Sequence, residues 1–335
     1  MSINPVEIPT GAVRYNTDSN KMEVYIGSTW MEVSVSSSNL DGGVRGVFFG
    51  GAPSNNAAID FITISTQGNA GDFGDMTSHR VQGAAGSSNT RGVYGNGEAP
   101  SITDRIEFIT FSSTGDATDF GDTTAARRRA NGMGLSNQTR GLFNGGYSPG
   151  TVNTIDFITI ASTGNAVDYG DLTVARESGS CCASPYRGII SGGRNQPANT
   201  ALSSIDFVTI PSLGNAQDFG DLTAARFATQ SCSNSTRGLI FAGLTPSNTD
   251  IIDFITIPTA GNATNFGDTI AAMQYPLGAV ASPTRAVVGG GLSPSALNTI
   301  QYVAIPTQGD AVDFGDLTSA KSEASGCSNG HGGLG

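Results

Sequence analysis

The chain has 335 residues, enough for two average domains or for one repeat domain closed into a ring. Charged residues make up 13%, about half the usual ~25%, and glycine fills 46 positions, about twice its usual ~7% share; this excludes a charge-rich disordered chain, and no stretch reads as a long amphipathic helix. The net charge of −11 opposes nucleic acid and anionic membrane as partners, and no apolar run reaches the ~18 residues of a membrane-spanning helix.

The opening residues, MSINPVEIPTGAV, carry neither a basic nor an apolar region, so no secretory leader is expected. Residues 1–34 stand apart from the rest of the chain. Val13 and Tyr15 alternate with polar residues, and a turn comes next. Met22, Val24 and Ile26 alternate again, and a second turn precedes Trp30. This pattern predicts a three-stranded meander, too small to be stable alone. Gly11, Val13, Arg14, Tyr15, Asn16, Thr17, Ser19, Lys21, Glu23, Tyr25, Gly27 and Trp30 together resemble a segment of tail-fibre and other virion proteins of tailed bacteriophages. The resemblance implies a virion setting. It also implies an attachment or oligomerisation role for residues 1–34, with Arg14, Tyr15, Tyr25 and Trp30 as candidate contacts. The implied partners are other virion proteins or further copies of the chain. Residues 35–44, rich in Ser and Gly, read as a flexible linker.

From Arg45 the text repeats. A strand of the type Ile-Asp-Phe-Ile-Thr-Ile starts at Ile59, Ile106, Ile155, Ile205, Ile252 and Ile300, a period near fifty. Each unit opens with an Arg followed by apolar residues and glycines, as at Arg45, Arg140 and Arg187. A loop rich in Pro, Ser and Asn leads into the Ile-Asp-Phe strand, and a turn leads to a strand reading Asp-Phe-Gly-Asp. The Ile-Asp-Phe strand is apolar on both faces, as expected for a strand covered on both sides. The glycine pair, the aromatic-bearing strand and the spacing resemble the kelch repeat over residues 45–331. Phe73, Phe120, Tyr169, Phe219, Phe266 and Phe314 stand where that repeat usually has tryptophan. The expected fold is all-β: a six-bladed kelch-like β-propeller over residues 45–335 with a small N-terminal β-meander. The first unit lacks a strand. Residues 322–329 are expected to supply it, with 33–39 as the competing candidate.

The repeats can be compared with one another. Basic residues fall in two columns, Arg45/Arg91/Arg140/Arg187/Arg237/Arg285 and Arg80/Arg127/Arg176/Arg226/Lys321, the latter with Met273 as exception. Acidic residues fall in three, exemplified by Asp168, Asp171 and Asp156. A charge present in every unit is expected to hold the unit together. Paired carboxylates at Asp-Phe-Gly-Asp are too few for Ca²⁺, so no metal is expected. Cys182, Cys232 and Cys327 share a column that elsewhere holds Gly86, Leu135 and Val280, so they read as buried thiols. Only His79 and His331 are available as imidazole bases, and neither has a catalytic partner by spacing; no catalytic residue and no cofactor is expected.

The distance from the Ile of the third strand to the last Asp is constant, as in 59 to 75 and 300 to 316, whereas the loops before that strand vary in length. These loops are residues 51–58, 97–105, 145–154, 192–204, 243–251 and 290–299, and they belong on one face. Their candidate binding residues are Tyr147, Arg194, Asn195, Gln196 and Asn199, a neutral polar set suited to a glycan or a protein. The expected function is a non-enzymatic phage virion protein, a tail-fibre tip or decoration subunit located on the exterior of the particle. The alternatives are a glycan-processing enzyme and a bacterial kelch-type protein-binding scaffold.

Overall fold

The computed structural model describes residues 8–17, 21–32, 44–53, 57–98, 100–130 and 134–335. The chain divides into two units, Met1–Gly42 and Gly43–Gly335. The linker read at 35–44 lies outside the described residues except for Val44, as does the whole of 33–39.

The first unit holds the meander Val13–Asn16, Lys21–Ile26 and Thr29–Glu32, paired antiparallel in that order. The register sets Tyr15 opposite Met22 and Val24 between Val13 and Met31. Alternation therefore puts the apolar side chains on one face and Arg14, Glu23, Tyr25 and Trp30 on the other.

The second unit is all-β. The chain as a whole is 54% strand and 1% helical, built mainly from small antiparallel sheets of four strands. Five four-stranded sheets and one that carries an extra two-residue strand, Leu244–Thr245, succeed one another along the chain, and each starts with a short strand of mostly small residues, such as Ser180–Ala183. That strand pairs with the Arg-Gly strand, Arg187–Ser191, then with Ser204–Thr209, and finally with Gln217–Asp221. The first sheet takes its short strand from the far end of the chain: Ser325–Ser328 pairs with Arg45–Phe49, setting Cys327 opposite Val47. In the fifth and sixth sheets the outer strands run further, to Met273 and Lys321.

The six short strands touch one another in cyclic order, and Ser325–Ser328 meets both Gly278–Ala281 and Ala84–Ser87. Small side chains let six strands converge this closely, which is why Gly, Ala, Ser and Cys predominate in them. Apolar residues between adjacent sheets form the core. Ile155, Ile158 and Ile160 are all buried, and in each sheet the third-strand aromatic meets the outer-strand aromatic edge to face, as Phe207 meets Phe219.

Neighbouring sheets are stitched by three kinds of contact. The first two are made six times each. The glycine of the turn before each outer strand donates from its backbone to the outer-strand aromatic of the preceding sheet, as Gly261 N does to Phe219 O at 2.8 Å and Gly68 N to Phe314 O at 2.9 Å. The approach is so tight that a Cβ on Gly220 would lie 2.5 Å from the Gly261 carbonyl oxygen, and Gly220 has φ +147°. The Arg that opens each second strand lies over the aromatic ring of its own third strand and donates to a carbonyl of the next sheet. Arg187 stacks at 4.8 Å on Phe207 and reaches Ile257 O, and Arg285 reaches back from the sixth sheet to Ile64 O of the first.

The third stitch joins two of the charge columns. Each buried cation at the end of one repeat pairs with the third-strand acid of the next sheet: Arg80 with Glu107, Arg127 with Asp156, Arg176 with Asp206, Arg226 with Asp253, and Lys321 with Asp60. A Thr hydroxyl completes each carboxylate, as Thr173 Oγ1 does on Asp206 at 2.7 Å. Burial lowers the pKa of the four arginines, and the facing carboxylate opposes that shift. The charges of these two columns thus serve the joints between sheets and not the interior of a single sheet. At the remaining joint Met273 faces Gln301, and the Gln301 amide oxygen accepts from the backbone of Ile270 at 2.8 Å. Cation, anion and hydroxyl are all absent there, so no buried charge is left unpaired.

Candidate functional site

Immediately after the buried cation of each repeat come two positions with one backbone and many side chains. The second of them is Gln82, Arg129, Ser178, Ala228, Tyr275 or Glu323, and all six have positive φ, from 47° at Tyr275 to 62° at Gln82. None is glycine, so each residue carries a backbone cost of about 1–3 kcal/mol that the surrounding structure must impose. What imposes it is a cycle of main-chain hydrogen bonds: Gln82 N to Glu323 O, Glu323 N to Tyr275 O, Tyr275 N to Ala228 O, Ala228 N to Ser178 O, and Ser178 N to Arg129 O. Ala130 N closes it on Gln82 O at 3.1 Å.

The first of the two positions is Val81, Arg128, Glu177, Phe227, Gln274 or Ser322. Each makes a β-bridge to a residue near the start of a variable loop: Glu98, Tyr147, Arg194, Leu244, Leu292 or Ala52. The variable loops and the six positive-φ residues therefore share a face, around the entrance to the space between the short strands. Side chains there pair with one another. Glu177 Oε1 accepts from Arg129 at 3.0 Å and from Arg194 at 2.7 Å, while Glu177 itself is 0% exposed. Arg128 Nη1 donates to both carboxylate oxygens of Glu98, at 2.7 and 2.9 Å, and Gln82 Nε2 donates to Glu323 at 2.7 Å. Tyr147 packs against both Arg128 and Arg129 at 5.4 Å. Tyr275 interacts with Arg194, Glu323, Arg129 and Glu177, and burial, the largest influence, raises its hydroxyl pKa. Three arginines and three glutamates balance, so the entrance is polar without net charge.

Of the loop residues expected to bind, Tyr147 and Arg194 join this cluster. Asn195 and Gln196 do not, and Asn199 touches it only through Arg194; the three form a small hairpin beside it. There Asn195 pairs with Thr200, and Asn199 Oδ1 accepts from Gln196 at 3.2 Å and from Arg194 at 3.2 Å. Sequence reasoning missed Gln82, Arg129, Glu177, Ser178, Tyr275 and Glu323. Their signal was available: two columns of unrelated side chains directly follow a nearly invariant cation.

The space between the short strands is lined by all six of them and has a volume of about 40 Å³, room for a few waters and no larger ligand. Cys182, Cys232 and Cys327 line it as free thiols, and burial pushes their pKa up, to about 12 for Cys182 and Cys327. Its opposite end is covered by the last residues, where His331 Nε2 lies 3.1 Å from Ser87 O and 3.3 Å from Ser136 Oγ. Among the described residues no group of three or more His, Cys, Asp or Glu could hold a metal ion.

The N-terminal candidates divide by face. Arg14 pairs with Glu23 at 2.7 Å and lies 4.2 Å over Trp30, which packs on Tyr25 at 5.2 Å; Asn16 also donates to Glu23. These residues hold the meander together. Tyr15 stands on the other face, 54% exposed, with exposed Val13, Met22, Ile26 and Met31. No protein-family model matches the chain, and no curated protein is similar to it in sequence.

Proposed function

We propose that this chain is a non-enzymatic structural protein of a tailed-bacteriophage particle, a tail-fibre tip or decoration subunit that binds through one face of a six-bladed, kelch-like β-propeller. The observation that carries the binding role is the distribution of variation. Joints between sheets repeat one chemistry nearly unchanged, whereas the chemically varied positions gather on the loop face. Support for the propeller comes from the three stitches, two made at all six joints and the third at five, and all three return from the sixth sheet to the first. A ring closed in this way leaves only short, protected strand edges and holds its loops rigidly. Many copies on one particle would multiply a weak single-site affinity.

The virion setting rests on the resemblance of residues 11–30. The meander's apolar face, with Tyr15, Val13 and Met31, is the surface we assign to contact with other virion proteins or further copies, and Arg14, Tyr25 and Trp30 support it from behind. Mass spectrometry of purified particles, with labelled antibody to place the protein, tests this. Stoichiometric detection on tail or fibre is the expected outcome. Absence from particles would sink the virion assignment.

A further inference from the structure

The entrance cluster has more hydrogen-bonding capacity than its own residues use. Glu177 Oε2, Ser178 Oγ, Gln82 Oε1, Ser322 Oγ and Arg128 Nε are buried and have no hydrogen-bond partner among the described residues, although Glu177 and Ser178 are both 0% exposed. Buried polar atoms of this kind are costly unless something satisfies them. Glu177 Oε2 and Gln82 Oε1 can only accept, Arg128 Nε can only donate, and the two serine hydroxyls can do either. A matching ligand must therefore both donate and accept, and it must do so without a formal charge. An anion would meet Glu177, Glu323 and Glu98; a cation would meet Arg128, Arg129 and Arg194. Hydroxyl groups meet the requirement, since each donates one hydrogen bond and accepts others. Tyr147 and Tyr275 add ring surface for the apolar C–H face of a sugar.

We infer that the ring of positive-φ residues around Glu177 is a binding site for a neutral saccharide, with Glu177, Ser178 and Gln82 taking its hydroxyls and Tyr275 covering its apolar face. This rests on the reading that the loop face is the binding face, and it narrows that reading to one place and one ligand class. A protein partner would instead spread its contacts over the outer loops, as at Asn195 and Gln196.

The backbone supplies a test that separates binding from folding. Tyr275 and Gln82 have φ values of 47° and 62°, which glycine adopts freely. Tyr275→Gly and Gln82→Gly therefore remove the side chain while relieving backbone strain, so the melting temperature should hold or rise. The purified full chain is applied to an array of neutral, acidic and amino-bearing oligosaccharides, and hits are titrated by calorimetry with wild type, both glycine variants and Gln196→Ala. The expected result is binding to neutral oligosaccharides only. Each glycine variant should weaken it on the order of tenfold with melting temperature retained, and Gln196→Ala should leave it unchanged. Selective binding of acidic or amino sugars, or no binding of neutral ones, overturns the inference. Binding lost in Gln196→Ala but kept in the glycine variants also overturns it, while leaving the loop-face reading intact. Detection of the protein on particles is independent of all these outcomes.

Discussion

Arg176 and Asp206 meet at 3.0 Å where neither side chain reaches solvent, and Thr173 completes the carboxylate. Removing one member of such a pair strands a buried charge and costs about 3–5 kcal/mol, although replacing the whole group by neutral partners need not. The joint between the fifth and sixth sheets shows the neutral solution, with Met273, Ile270 and Gln301 in the three roles. Gln301→Asp alone should therefore destabilise by about 3 kcal/mol, and so should Met273→Arg alone. The triple variant Ile270→Thr, Met273→Arg, Gln301→Asp should return to within about 1 kcal/mol of wild type, as coupled neighbours do. Urea unfolding of the four proteins measures this, and losses that simply add in the triple variant would refute the coupling. The columns themselves were legible in the sequence. Their pairing was not, because cation and acid lie on different repeats, but both exceptions, Met273 and Gln301, belong to the same joint.

The last element is a single turn of 3₁₀ helix, Gly332–Leu334, begun by His331. Nε2 of His331 faces Ser87 O, a carbonyl that can only accept, and Nδ1 accepts from Gly333 N at 3.1 Å, so this ring is neutral with its proton on Nε2. Burial holds its pKa down at about 4, and the neighbouring thiols are kept protonated by the same burial. An unfolded chain takes up that proton near pH ~6.5, whereas the folded chain resists until near pH 4. Stability present at neutral pH is thus lost as pH falls through this window, by up to about 3 kcal/mol. Thermal melts should show a loss between pH 6.5 and 4 that is absent in His331→Gln; equal slopes for both proteins would discount the histidine. From the sequence this histidine could be named but not placed, because what buries it comes from strands more than a hundred residues away.

At the largest scale, the second unit has its two ends joined. Residues 325–328 complete the first sheet, Arg285 clasps Ile64, and Lys321 pairs with Asp60, so the end of the chain holds its beginning. Deleting residues 325–335 should expose the edge of Arg45–Phe49, broaden the cooperative melting transition and promote aggregation. Deleting residues 1–42, a separate unit, should leave that transition in place. Calorimetry with light scattering compares the two. A truncation at 325 that melts like the full chain would mean that closure adds little.

The sequence by itself determined the all-β character, the six repeats, the apolar third strand and the columns of charge. All of these are local patterns, set by alternation, glycine turns and a fifty-residue period that any segment displays without its neighbours. It also placed Tyr147 and Arg194 in loops of varying length, because loop length is readable along the chain. Only the tertiary structure decided that the charges join neighbouring sheets, that Tyr25 and Trp30 brace the meander's polar face, and that Gln82, Arg129, Ser178, Ala228, Tyr275 and Glu323 form a ring. Those six lie on six different repeats and share a backbone conformation unusual for each of them. A hydrogen-bond cycle running around the molecule enforces that conformation, and such a cycle exists only once the sheets have come together.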